Sequence, residues 1–154
     1  MKNLIIYFSW SGNTDKLVKE INKNFNYDVA KIDRKEPYSE DYETCAYKEA
    51  KEEWEKHIHP EITNLDVDIN NYDRILLFFP IWWYTFPMPI ATLIEKFKGY
   101  TGEIVTFENS YTNDPTYIKN SLNDISKIDS KLNVTQGLFN KSVKEHIEFI
   151  KNLK

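Results

Sequence analysis

Residues Ile5–Lys16 read IIYFSWSGNTDK, and the change of character inside this stretch decides the fold. Leu4–Phe8 is a continuous run of apolar residues, β-branched and aromatic, too short for a helix and suited to a buried strand. Ser9, Ser11, Asn13 and Thr14 then crowd around Gly12. Beyond them Leu17, Val18, Ile21 and Phe25 recur at helical spacing, so the polar cluster lies between the end of a strand and the start of a helix. Backbone N–H groups and the positive end of the helix dipole meet at such a junction, an arrangement suited to a phosphate. Taken alone, the same residues also read as an ordinary helix cap.

The rest of the chain extends the alternation. Asp28–Ile32 alternates like a strand near a sheet edge, and 33–41, with Pro37, is a loop. From 43 to 56 the chain is dense in Glu, Lys and Ala, and Tyr47, Ala50, Trp54 and Ile58 share one face, so a surface helix is expected. A polar connector over 62–72 leads to Ile75–Phe79, the most hydrophobic run in the chain and the natural central strand of a parallel sheet. Ile90, Leu93, Ile94 and Phe97 mark a helix that stops near Gly99, and Glu103–Phe107 supplies the next strand. Asp114 followed by Pro115 is a helix-start signal, and Ile118, Leu122 and Ile125 form the buried stripe of that helix. Leu132–Leu138 is a last strand, weakened by Gly137, and Val143, Ile147, Ile150 and Leu153 make a terminal amphipathic helix. Five strand-to-helix alternations without internal repeats predict a single α/β domain over residues 1–154, with a parallel sheet. In such sheets ligands bind outside the carboxyl ends of the strands. Three loops therefore form the candidate site: Ser9–Thr14, Pro80–Met88 and Asn109–Asp114.

Composition narrows the classes. The chain has 154 residues, 20 basic against 24 acidic, for a formal net charge of −4. That balance disfavours nucleic acid or anionic membrane as a partner, because no long-range attraction draws the protein to either. The single cysteine, Cys45, cannot form an internal disulfide and has no Cys and His grouping around it for zinc, so an inert thiol is expected. The longest apolar run, Ile75–Tyr84, is interrupted by Pro80 and too short to span a bilayer, and no signal peptide precedes the first strand. A cytoplasmic protein is expected, in which the sequons at Asn133 and Asn140 are idle. His57 and His59 lack a third ligand and read as a solvent-facing pair, while His146 reads as a partly buried surface histidine. No residue pair suggests general acid–base work or an activated nucleophile.

The ligand can be narrowed by elimination. A P-loop needs a lysine and two glycines at fixed spacing, and a dinucleotide fold needs three glycines; the first loop has one glycine and no lysine before Lys16. A phosphatase loop would need a cysteine and an arginine, and a phospho-acceptor site would need acids after the first strand. What remains is a phosphate held by hydroxyls, an amide and main-chain N–H groups. The second loop, PIWWYTFPMP at 80–89, places two tryptophans, a tyrosine and a phenylalanine at the end of the central strand. In isolation these read equally as a lid over the core. Beside a phosphate site they favour a flat aromatic ligand, since stacking on such a ring contributes about 1–3 kcal/mol per contact. Tyr38, Tyr42 and Tyr47 border such a ligand or simply pack a helix.

SWSGNT at 9–14 with YFS leading into it, PIWWYTFPMP at 80–89 and EPYSEDY at 36–42 together resemble the flavodoxin family, specifically its short flavodoxin-like branch. The resemblance covers essentially the whole chain. It implies a three-layer sandwich whose five-stranded parallel sheet runs in the order 2-1-3-4-5 with helices on both faces. It implies flavin mononucleotide (FMN) bound non-covalently at the carboxyl edge. On that pattern Ser9, Ser11, Gly12, Asn13 and Thr14 hold the phosphate, Trp10 contributes mainly its backbone, and Pro80, Ile81, Trp82, Trp83 and Tyr84 flank the isoalloxazine. Two departures stand out. Where this branch usually carries a Gly- or Ser-rich loop after the fourth strand, the chain reads FENSYTNDP, with no glycine, so Asn109, Ser110 or Tyr111 is expected to substitute as a polar or stacking contact. Phe78 occupies a position that is often small. The function implied is electron transfer through FMN between redox partner proteins, with a monomer or a homodimer as the working unit. The alternatives are an FMN-dependent NAD(P)H oxidoreductase acting on a quinone or nitro compound, and a flavodoxin-like domain with weakened or lost flavin binding. Glu108 and Asp114 are candidates for acids near the ring that lower its potential, or else are solvated loop residues.

Overall fold

A computed structural model describes residues 1–154. Its five strands are β1 (Asn3–Phe8), β2 (Asp28–Ile32), β3 (Arg74–Pro80), β4 (Glu103–Asn109) and β5 (Asn133–Phe139). They form one parallel sheet in the order β2-β1-β3-β4-β5, the order that the resemblance implied. The helices are α1 (Asn13–Asn22), α2 (Tyr42–Thr44), α3 (Lys51–Lys56), α4 (Met88–Lys96), α5 (Thr116–Ile128) and α6 (Val143–Lys151).

The period of two along the central strands sorts the core into two layers. Leu4, Ile6, Phe8, Ile75, Leu77, Phe79 and Ile104 face α4 and α5 in one buried cluster. Ile5, Tyr7, Leu76, Phe78, Val105 and Phe107 face α1 and α6 in the other. Every residue from Arg74 to Phe79 is buried, as a strand covered by helices on both faces requires.

The structure departs from the sequence expectations at four points. The helix expected over 43–56 forms, but its middle, Cys45–Ala50, is a π-helical turn joining α2 to α3. β4 runs two residues past Phe107, because Phe79 and Pro80 continue to pair with Glu108 and Asn109. Gly137 lies opposite the register shift between Thr106 and Glu108. It does not merely weaken β5: a Cβ there would stand 2.6 Å from the Thr106 carbonyl oxygen and 2.7 Å from the Phe107 ring, so glycine is what lets β5 approach β4. His146 is not at the surface. It is 1% exposed, packed against Phe78 and Phe107, with Nδ1 donating to the Ser142 carbonyl at 2.7 Å. Burial lowers its pKa, so it is a neutral core residue.

Candidate functional site

A cleft of about 710 Å³ opens at the carboxyl edge of the sheet. At one end is the β1–α1 loop. Gly12 is the N-cap of α1 with φ +94°, a conformation that glycine adopts without strain. Ser9 Oγ accepts from the Gly12 amide at 3.2 Å and Ser11 Oγ from the Asn13 amide at 3.4 Å, so these hydroxyls close the loop on itself. Gly12 itself has no side chain with which to cap α1. At α6, by contrast, Ser142 Oγ accepts from the Glu145 amide. Ser11 thus ties up only the first amide of α1, and the positive end of the helix opens into the cleft beside Ser9, Ser11, Asn13 and Thr14. That donor set fits a phosphate.

The aromatic end is built on strain. Trp83 and Tyr84 have φ of +50° and +72°, inside a turn closed by hydrogen bonds between Trp82 and Thr85 in both directions. Two consecutive positive φ values are normally met by Asn or Gly, and each costs an aromatic residue about 1–2 kcal/mol. Side-chain contacts offset that cost. Trp83 stacks on Trp54 with 5.7 Å between centroids, meets Tyr47 edge-on at 5.5 Å, and donates Nε1–H to the Ala46 carbonyl at 2.8 Å. Tyr84 offers its carbonyl to Asn120. Ala46 belongs to the π-helical turn, a feature that recurs at functional sites.

The α2–α3 segment carries this wall and is clasped to the body by charge. Arg34 donates to Glu49 at 2.8 Å and to Glu53 at 3.1 Å, and its guanidinium covers the Tyr38 ring at 3.8 Å. The Tyr38 hydroxyl donates to Glu53. Burial raises the Glu53 pKa, while the Tyr38 and Arg34 hydrogen bonds oppose the shift. Tyr38 is thus a structural residue behind the wall, whereas Tyr42 and Tyr47 line the cleft.

The third loop is held without a glycine. Asn140, at φ +53°, accepts from the Ser110 amide at 2.7 Å and donates to the Thr112 carbonyl and Asn113 Oδ1. Thr14 donates to Asn109 Oδ1 at 2.8 Å, joining the first loop to the third. Ser9, Trp10, Ser11, Asn13, Thr14, the run Pro80 to Tyr84, and Asn109, Ser110 and Tyr111 all line the cleft; Gly12, expected with them, is exposed and is not part of its lining. Trp10 does more than lend its backbone: its ring forms part of the wall and its Nε1–H donates to the Ser39 carbonyl at 3.0 Å.

Sequence reasoning did not find Asn140, Lys141 or Tyr117, which the β5–α6 connection and α5 bring to the cleft. An asparagine just past an apolar run, the residue type that best tolerates positive φ after glycine, was the available signal. The two acids expected near a ring are elsewhere. Asp114 caps the start of α5, accepting from Thr116. Glu108 points into the core, 2% exposed, with Oε1 accepting from Gln136 Nε2 at 2.6 Å and Oε2 unpartnered. Burial pushes its pKa up to about 7. Cys45 is also buried, its thiol pushed up to about 12 by desolvation, which leaves it inert. The cleft wall contains no carboxylate, and Lys141 is its one cation. No helix is long and apolar enough to cross a membrane.

A doubly wound α/β sheet in this strand order, with a helix N-terminus and an aromatic wall at its carboxyl edge, defines the class of open α/β proteins whose ligand site lies outside the carboxyl ends of the strands. The chain belongs to the flavodoxin family, whose model matches residues 2–152. A flavoprotein from Lactobacillus acidophilus NCFM, solved in complex with FMN, is 28% identical, with 97% of this chain and 98% of that one covered and a TM-score of 0.80. A protein from Bacteroides eggerthii shares the fold at 24% identity, 97% and 96% coverage and a TM-score of 0.82. Oxidised Flavodoxin 1 from Bacillus cereus shares it at 15% identity, with both chains fully covered and a TM-score of 0.56. No curated protein matches the chain in sequence.

Proposed function

We propose that this protein binds FMN non-covalently in the cleft and passes electrons between redox partners, with the β1–α1 loop on the phosphate and the 80–84 loop beside the ring. The observation that carries the reading is the joining of two halves in one cleft: the α1 N-terminus with its hydroxyl and amide side chains, and a wall of Trp10, Trp82, Trp83 and Tyr84. When bound, FMN supplies the one- and two-electron chemistry, and the protein supplies orientation, electrostatics and access. Thr14 and Asn109 fix the spacing of the two loops through their hydrogen bond. The tryptophans exclude water from one side of the cleft.

Titration with FMN and with riboflavin, followed by quenching of flavin fluorescence, tests the reading. FMN is expected to bind at least about 100-fold more tightly than riboflavin, because two charge-assisted hydrogen bonds contribute roughly 3 kcal/mol. Equal affinities would remove the phosphate from the α1 terminus.

A second reading, NAD(P)H-dependent reduction of a quinone or nitro compound, is favoured by one observation. Tyr42, Tyr47 and Tyr84 are each more than half exposed at the mouth of the cleft, extending the aromatic wall outward beyond the loops. Room for a second flat molecule would follow. Rapid turnover of NADPH and menadione by the FMN-loaded protein, with no partner reductase, would establish this reading over the carrier.

A further inference from the structure

The charge of the cleft wall has a redox consequence. Of the residues that line it, none is an aspartate or glutamate, and Lys141 alone carries a full charge. Lys141 enters no ion pair anywhere in the molecule. The backbone leading to this exposed lysine is anchored by its neighbour: Asn140 bonds to the Ser110 amide, the Thr112 carbonyl and Asn113, so the β5–α6 connection is pinned against the 109–114 loop of the cleft. The two acids nearest in sequence to that loop are turned to other work, Glu108 into the core and Asp114 onto the first turn of α5.

Uptake of two electrons and one proton gives a flavin ring one negative charge that the oxidised ring lacks. A cation in the wall interacts with that charge in the reduced state only, which raises the reduction potential; a carboxylate would lower it. We propose that Lys141 raises the potential of this site by stabilising the reduced ring. The proposal rests on FMN occupying the cleft.

The test uses the FMN-loaded protein and its Lys141→Arg, Lys141→Gln and Lys141→Glu variants. Midpoint potentials are read by dye equilibration during reduction with dithionite, and the affinity for oxidised FMN is measured alongside. Lys141→Gln is expected to weaken binding of reduced relative to oxidised FMN by about 5- to 10-fold, as suits one solvent-screened charge. A tenfold change in that ratio lowers the two-electron potential by about 30 mV. Lys141→Glu should fall further, Lys141→Arg should match the wild type, and high salt should narrow the differences. Unchanged potentials in the Gln and Glu variants with FMN bound would overturn the proposal. So would an equal loss of affinity in both oxidation states, which would place the lysine on the phosphate. A wild-type protein that takes up no FMN would instead overturn the cofactor reading on which this one stands.

Discussion

Gly12 and Glu108 show how much a single position can carry. Gly12→Asp puts a like charge and a strained φ against the phosphate seat, and it is expected to weaken FMN binding by at least about 100-fold, while a remote control such as Lys35→Ala leaves it unchanged. Flavin fluorescence titration of both variants checks this, with thermal melts to confirm that each is folded. Glu108 makes a pH prediction whose sign is fixed by burial. Its folded pKa, about 7, lies above the ordinary value of 4.5, so the native state holds a proton that the unfolded state has released. Stability from this group is fully present below about pH 4.5 and is lost as pH rises to about 7. The loss is on the order of 3 kcal/mol, at 1.36 kcal/mol per pKa unit. Urea midpoints at pH 5 and pH 8 should therefore differ more in the wild type than in Glu108→Gln, and equal differences would mean that Glu108 is not the group responsible.

Among the elements, the α2–α3 segment and the third loop depend on polar ties. Arg34→Ala would leave Glu53 buried without its cation, an uncompensated charge that costs about 3 kcal/mol or more. The expected result is a lower urea midpoint that is largely restored by the double variant Arg34→Ala/Glu53→Gln. Asn140→Gly keeps the positive φ but removes the clasp on Ser110, so the Ser110 amide should lose protection in hydrogen exchange while the β3 amides keep theirs. These ties also mark where sequence reading stops. The strands, the helices and the three loops were legible because periodicity and turn residues are local signals. The inward turn of Glu108 was half legible: Ile104, Thr106 and Glu108 alternate on one face, and only the assumed end of β4 at Phe107 hid it. Likewise His146 is four residues before Ile150, on the buried stripe of α6. The positions of Lys141 and the π-helical turn were not legible, since they depend on contacts between elements far apart in sequence.

For the molecule as a whole, ligand and fold should be linked. A ligand that binds only the native state stabilises it by about 2.7 kcal/mol at 100 times its Kd, or roughly 5–10 °C in Tm for a domain of this size. FMN should give such a shift and riboflavin a smaller one; the absence of any shift with saturating FMN would contradict the cleft assignment. The sheet order places the three loops side by side at one edge, so the cleft depends on β1, β3 and β4 together. The placement of the indole rings has a practical consequence. All four tryptophans of the chain belong to this one region, Trp10, Trp82 and Trp83 in the wall and Trp54 stacked behind Trp83. The protein is thus a self-reporting sensor: its intrinsic emission originates at the site itself, and occupancy can be followed in unlabelled wild-type protein, without a probe that alters what it measures.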